Sequence, residues 1–277
     1  MTTIFGRSFS HANDAKADVS KIPAVRVFTL CLAGSLVPGA AMAKDGEQTP
    51  HMADHITIGA GASVLPTFEG SDSTRILPLP VIDIRQGIFV ANTYSGIGVS
   101  VPVTDEINMG AGAVFVLGYR QKDVPTGIER IKNAAGIRAN ATIRKWGFVS
   151  TVGVTKVLGG TKGTVADAVI SYPVRLDDHL TIVPGLGTTW ADSKYNDRYF
   201  GSSPEEAAAS GLSRFSPGSG FKDVTFNLVA NYRLSPRWNL TVGGSAIRVV
   251  GDVSDSALVQ DKLNASGFAS ISYTFGR

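Results

Sequence analysis

The chain has 277 residues, 31 of them Gly, with 43% hydrophobic and 18% charged residues; this is richer in Gly and poorer in charge than the roughly 7% and ~25% usual for globular proteins, and it excludes both a disordered chain and a bundle of membrane helices. The formal net charge is +3, but residues 1–43 hold Arg7, Lys16, Lys21 and Arg26 against Asp14 and Asp18, leaving 22 basic and 21 acidic residues, net +1, in the remainder. That balance offers no basic patch or stripe for nucleic acid.

The first element is a targeting segment. Residues 25–37 are a short apolar run interrupted by Arg26, preceded by Lys21 and followed by Ala41-Met42-Ala43 and a polar stretch. Basic region, apolar core and small-x-small site are the order of a secretory signal peptide, and the run is shorter than the ~20 apolar residues of a spanning helix. The alternative is a buried or anchoring N-terminal helix. Cleavage after Ala43 removes Cys31, the only cysteine, and leaves no disulfide or Cys-ligated metal site. Residues 44–54 are then an N-terminal periplasmic segment, and no later stretch is apolar and long enough for a membrane helix.

From residue 55 onward the chain alternates. Ile56, Ile58, Ala60, Ala62 and Val64 oppose His55, Thr57, Gly59 and Ser63; Ile137, Ala139, Ala141 and Ile143 oppose Arg138, Asn140, Thr142 and Arg144. Ala166, Ala168, Ile170, Tyr172, Val174 and Leu176 oppose Asp167, Ser171 and Arg175. In 221–234, Val224, Phe226, Leu228, Ala230, Tyr232 and Leu234 oppose Asp223, Thr225, Asn227, Asn231 and Arg233; 263–275 repeats the pattern with Ile271, Tyr273 and Phe275 against Asn264, Ser270 and Ser272. Side chains of a strand alternate between faces, so each segment has one apolar and one polar face. Segments of about ten such residues separated by turns are the signature of a transmembrane β-barrel. In a membrane only closure leaves no strand edge unpaired. A soluble periplasmic β-sandwich also alternates, but its strands average five or six residues. Tyr94, Tyr119, Trp146, Trp190, Tyr232, Trp238 and Tyr273 are placed for interfacial girdles.

Connection lengths give the strand count. Tight turns fall at Gln86-Gly87, Trp146-Gly147, Asp177-Asp178 and Ser235-Pro236-Arg237, and longer connections at 67–75, 120–132, 159–163, 192–220 and 250–262. Barrels of this kind put short turns on the periplasmic side and long loops outside. Parity holds throughout if 87–101 is two short strands with a turn at Thr93-Tyr94-Ser95. The expected strands are 55–66, 76–85, 87–92, 95–101, 107–119, 133–145, 147–158, 164–176, 179–191, 221–234, 237–249 and 263–276, an all-β, antiparallel barrel of about twelve strands; ten strands with an irregular 87–101 is the alternative. In the longest loop, Ser203-Pro204-Glu205-Glu206 reads as a short helix with Ser203 as cap and Pro204 at its first position, folded over or near the barrel mouth.

No residue points to catalysis. His51, His55 and His179 stand singly, without a second His or Cys at ligand spacing, and there is no G-x-S-x-G or H-E-x-x-H element. Gly59-Ala60-Gly61, Gly96-Ile97-Gly98 and Gly110-Ala111-Gly112 lack the strand–turn–helix context of a phosphate loop; in strands such glycines permit bending or close approach. Neither a metal nor a cofactor site is expected. The expected lumen carries Arg138, Arg144, Arg175 and Arg233 with Asp167 and Asp223. These form either a satisfied charge network in a narrow barrel or the lining of a weakly anion-preferring pore.

Four patches resemble the MipA/OmpV family of outer-membrane proteins. Leu65–Pro80 is similar to its opening motif through Phe68, Glu69, Gly70, Ser71, Asp72, Pro78 and Pro80. Tyr199-Phe200-Gly201 is followed by an Ala-rich stretch and Phe215-Ser216-Pro217-Gly218-Ser219-Gly220. Gly251-Asp252-Val253-Ser254-Asp255-Ser256 continues to Val259, with Ala257 where the family pattern has Pro, and Ser272-Tyr273-Thr274-Phe275 closes the chain except for Gly276 and Arg277. The resemblance implies a non-enzymatic barrel in the outer membrane, in contact with its lipid. It also implies a scaffold with two partners, a lytic transglycosylase and a penicillin-binding peptidoglycan synthase. The alternative function is a small-solute channel.

Overall fold

The computed structural model describes residues 54–275; the expected signal peptide and cleavage site, most of the expected 44–54 segment and His51 lie outside the described residues. The strands are β1 (His55–Pro66), β2 (Thr74–Gln86), β3 (Phe89–Asn92), β4 (Gly96–Pro102), β5 (Ile107–Val116), β6 (Ala134–Lys145) and β7 (Phe148–Val157). They continue with β8a (Thr164–Ser171), β8b (Val174–Arg175), β9 (Leu180–Ala191), β10 (Gly220–Arg233), β11 (Trp238–Val249) and β12 (Leu263–Phe275). Taking β8a and β8b as one stave, each pairs antiparallel with its sequence neighbours, and β1 pairs with β12 from Ile56 opposite Phe275 to Val64 opposite Gly267. The sheet therefore closes on itself. β8a and β8b are two pieces of one stave, since both pair with β9, and the barrel has twelve strands.

The wall is built inside-out relative to a soluble protein. Ile58, Leu186, Phe226, Leu228, Val242 and Ile271 stand on the exposed outer face, whereas Thr151, Asn227, Ser245, Ser270 and Ser272 are buried on the inner one. An outward apolar band matches a hydrocarbon solvent, and backbone polar groups there must be bonded within the sheet. At the short-turn end the aromatics meet in pairs: Trp238 and Tyr273 at 5.1 Å, Phe148 and Tyr172 at 4.8 Å, Tyr273 and Phe275 at 4.7 Å between centroids. The Lys145–Phe148 turn has positive φ at both Trp146 (53°) and Gly147 (80°), the mirror-type turn whose twist suits a two-residue hairpin.

Five expectations need correction. β2 begins at Thr74, two residues earlier than expected. β5 ends at Val116 rather than at 119, because Tyr119 turns away to pack on Phe68 at 5.5 Å. The stave 164–176 is broken at Tyr172-Pro173, where proline has no N–H for the ladder. Tyr94 and Tyr119 are not girdle residues: Tyr94 approaches Phe268, an inward side chain of β12, at 6.5 Å, and Tyr119 is buried in the loops. The longest loop holds a helix that was not expected, α1 (Ser193–Phe200), ahead of the expected α2 (Pro204–Ser210).

Candidate functional site

The long loops fold into one cap over the extracellular end. α1 starts where the Asp192 side chain accepts the Tyr195 N–H, and α2 starts at Ser203, which exchanges hydrogen bonds with Glu206, and stops at Gly211 with φ 75°. Tyr199 of α1 is the keystone. Its ring lies 5.8 Å from Tyr195, 5.4 Å from Tyr119 and 4.7 Å from Phe200, and Tyr119 reaches Phe68. It packs against all three buried clusters of the cap, those of Val116 and Tyr195, of Phe68 and Ile131, and of Phe200 and Val253.

The motif residues converge here. The Glu69 N–H donates to the Tyr199 hydroxyl (3.1 Å), the Gly70 N–H to Asn264 Oδ1 (2.6 Å), and Asn264 Nδ2 to the Ser71 carbonyl (3.0 Å). The Gly70 carbonyl accepts the N–H groups of Gln260 (2.7 Å) and Asp261 (3.0 Å). Gly70 has φ +93°, and a Cβ there would meet Val259 at 2.9 Å, so glycine is needed twice over. Ser256 Oγ donates to the Phe200 carbonyl (2.5 Å), and the Gly201 N–H closes α1 on Asp197. Gly251 (φ 65°) leads into a 3-10 turn at Asp252–Asp255. Asp72, Asp252 and Asp255 remain exposed, Asp255 with Lys262 at 3.4 Å. Pro78 and Pro80 stand apart, on the outer face of β2 opposite Ala62 and Ala60.

Beneath the cap lies a buried ionic cluster. Lys222 Nζ is 2.5 Å from Glu69 Oε2 and 2.6 Å from Asp223 Oδ2. Strict alternation sends Lys222 outward with Val224. A bulge intervenes: Thr189 is opposite Asp223 but Trp190 is opposite Phe221, so Lys222 is the extra residue and turns inward with Asp223. The only sequence signal for it is the lysine itself, which is costly on a lipid-facing strand. Burial pushes the Glu69 carboxyl up to about 7; the Lys222 ammonium pulls it down and Asp223 pushes it up again. Two carboxylates therefore share one cation. Glu69 Oε1 is buried without a hydrogen-bond partner.

The expected lumen charges separate into four places, Asp223 beside Lys222 being the first. Arg138 reaches across β7 to make a two-point pair with Asp167 (2.5 and 2.7 Å) and also meets Thr155 at 3.1 Å. The crossing needs Gly153, where a Cβ would lie 2.1 Å from the guanidinium. Arg144 lies on the inner face nearer the periplasmic end, where it feels the charge of Arg85, and His55 pairs with Asp83 at 3.2 Å. Arg175 and Arg233 are not lumen groups. They fold onto the periplasmic turn, Arg175 to Asp178 at 2.6 Å and Arg233 to the Asp178 carbonyl, because each sits at the last residue of its stave. His179 is held there too, its Nδ1 2.8 Å from the Arg233 carbonyl. Among the described residues no group of His, Cys, Asp and Glu is arranged to hold a metal ion.

Residues 58–275 match the family model described as MltA-interacting protein MipA. The chain is 24% identical to the MltA-interacting protein of Escherichia coli (strain K12), over 81% of this chain and 92% of that one. It is 22% identical to the putative outer membrane protein YiaT of the same strain, over 80% and 92%. Among solved structures, the KdgM porin aligns with a TM-score of 0.43 at 10% identity over 79% of this chain and 99% of that one. With a closed twelve-strand barrel, an outward apolar band and a family match covering nearly all described residues, the chain belongs to the MipA family and resides in the outer membrane.

Proposed function

We propose that the protein is a non-enzymatic scaffold of the outer membrane, holding a lytic transglycosylase and, through it or beside it, a penicillin-binding peptidoglycan synthase. The family match over residues 58–275 carries this reading, together with the name of the relative, MltA-interacting protein. The site supports it. Phe68, Ser71, Tyr199, Phe200 and Ser256 of the motifs are taken up in cap packing, and Arg138 is held by Asp167, which leaves the extracellular end built for rigidity. The partner's surface is then the periplasmic rim, where Lys145–Glu106, Arg175–Asp178 and Arg233 cluster around exposed turns. In this reading residues 1–43 are removed on export, residues 44–54 enter the periplasm, and residues 55–277 are the lipid-embedded barrel.

Co-purification from detergent-solubilised outer membranes is the test. Enrichment of a murein lytic transglycosylase with the tagged protein, lost when the periplasmic turns are replaced by Asn-Gly, supports the scaffold. Its absence, with N-terminal sequencing that starts elsewhere than Lys44, removes both the scaffold and the cleavage assignment. The second reading is a narrow solute channel of weak anion preference, favoured by Arg85 and Arg144 on the inner face. It requires ion current across a planar bilayer that falls on neutralising Arg144.

A further inference from the structure

The barrel wall has an interruption in its backbone pairing. β3 has 4 residues and β4 has 7, so this hairpin fills only the periplasmic half of the space between β2 and β5. β2 pairs with β3 from Asp83 opposite Asn92 to Gln86 opposite Phe89 and no higher, although β2 continues to Thr74 along β1. β5 pairs with β4 up to Ala113 opposite Ile97, yet continues to Val116 along β6. Where the hairpin ends, β2 and β5 stand three strand spacings apart, roughly 14 Å.

The edge of β2 is chemically set against closing this space. Thr93 at the hairpin tip takes the Ile82 carbonyl with its N–H (2.9 Å), and its hydroxyl bonds the Ile82 N–H (2.8 Å) and the Pro80 carbonyl (3.0 Å). Residues 82 and 80 thus direct their backbone groups toward the hairpin side. Alternate residues of an antiparallel strand face the same neighbour, so residue 78 does as well. Two of those three positions are Pro78 and Pro80, which have no N–H. Prolines on a strand edge block pairing with another strand. Above the space, Phe68 meets Tyr119 at 5.5 Å and Asp123 lies 3.7 Å from Arg75 and 2.7 Å from Arg120. The result is a window in the wall: β2 and β5 are its sides, the Thr93–Ser95 turn its sill and the loops its lintel.

Both sides of the window are apolar. Outside, Ile76 is 73% exposed on the band that faces lipid. Inside, β2 presents Leu77, Leu79 and Val81 in succession, of which Leu79 is covered by the protein itself and Leu77 and Val81 are half-buried, whereas β7, β8a and β9 mix single inward valines (Val149, Val169, Val183) with Thr, Ser and Gly. At the lintel, Arg75 and Arg120 share the single Asp123 carboxylate, and Arg75 Nε is buried without a hydrogen-bond partner. We propose that this window between β2 and β5 is a lateral binding site for a phosphorylated acyl lipid, with a chain laid against Leu77 and Val81 and its anionic headgroup at Arg75 and Arg120. Two features select that occupant. The window opens directly onto the lipid-facing surface, and the lintel has one cation in excess at the level where the outward apolar band gives way to the loops. The site does not depend on which protein the barrel holds.

The test is photocrosslinking in the full-length protein reconstituted into vesicles of phosphatidylglycerol or of phosphatidylcholine. A benzophenone side chain replaces Leu77, with Val81 as a second probe position, Thr151 on the far inner wall as the interior control and Ile76 as the lipid-facing control. Each variant is first checked for the mobility shift between boiled and unboiled samples. Phosphatidylglycerol adducts at Leu77 or Val81 several-fold above those at Thr151, and reduced toward the phosphatidylcholine level by Arg75→Gln, are expected. Adducts at both positions no higher than at Thr151 overturn the site. Adducts unaffected by Arg75→Gln overturn the headgroup assignment.

Discussion

At the scale of single residues, Lys222 decides the electrostatics of the cap. It lies between Glu69 and Asp223 under a roof of loops, and removing one member of a buried ion cluster costs about 3–5 kcal/mol because a charge is left uncompensated. Lys222→Met is therefore expected to lower the midpoint of urea unfolding in detergent, and adding Glu69→Gln with Asp223→Asn should restore most of the loss. The pH dependence has a definite sign. Glu69 is pushed from 4.5 to about 7 on folding, so between these values the folded protein binds more protons than the unfolded chain. Its stability must then fall as pH rises from about 4.5 to about 7. Unfolding midpoints measured across that range should decline in the wild type and flatten in Glu69→Gln; an unchanged slope would show that Glu69 keeps an ordinary carboxyl in the fold. Asp223 was legible in the sequence as an inward charge, from the parity of 221–234. Lys222 was not, because a bulge shifts parity by one and no local composition announces it.

At the scale of elements, the strands were legible and the cap only in part. A strand's period of two is written in the chain wherever one face meets lipid and the other a polar lumen, and the outward faces of β1, β10 and β12 carry the apolar sets read from sequence. Arg175 and Arg233 share the inward parity of Asp167, yet parity fixes only a face and not a height, and both end on the periplasmic turn. α2 was readable from Ser203 and Pro204, whereas α1 has its signal in Asp192 followed by Tyr195 and Tyr199, four residues apart, inside a loop where polar residues dominate. The motif residues were legible as a set but not as a contact set, since Phe68, Tyr199 and Ser256 meet only through loop closure. Tyr199 is the element-level test. It joins α1 to the 67–73 loop and to the Phe68–Tyr119 pair, and replacing a packed aromatic by Ala costs about 3–5 kcal/mol in a closed core. Tyr199→Ala should speed amide exchange in 67–73, 193–200 and 250–262 by tenfold or more, while β6, β7 and β9 keep their protection. Uniform loss across the strands would mean that cap and wall unfold together.

At the scale of the whole molecule, cap and barrel are joined in a way that lets them be separated. Residues 192–219 leave and re-enter the wall at Ala191 and Gly220, which face each other across β9 and β10. The entire segment therefore connects two ends already at hairpin distance, and an Asn-Gly turn spans such ends with the twist that strands prefer. Replacing 192–219 by Asn-Gly should leave the barrel closed, because β1 still pairs with β12 and no stave loses a partner. The mobility shift between boiled and unboiled samples should persist. The cap's three apolar clusters lose Tyr195, Tyr199 and Phe200 at once, so the remaining loops lose their common support. If the cap is what obstructs the lumen, ion current across a planar bilayer should rise several-fold over the full-length protein. Gly153→Val in the shortened protein should then alter that current by displacing Arg138 from Asp167. A shortened barrel that stays closed and conducts no better than the full-length protein would place the obstruction in the wall itself, among the paired charges of β6 and β8a, and would make the barrel an anchor whose interior carries no traffic.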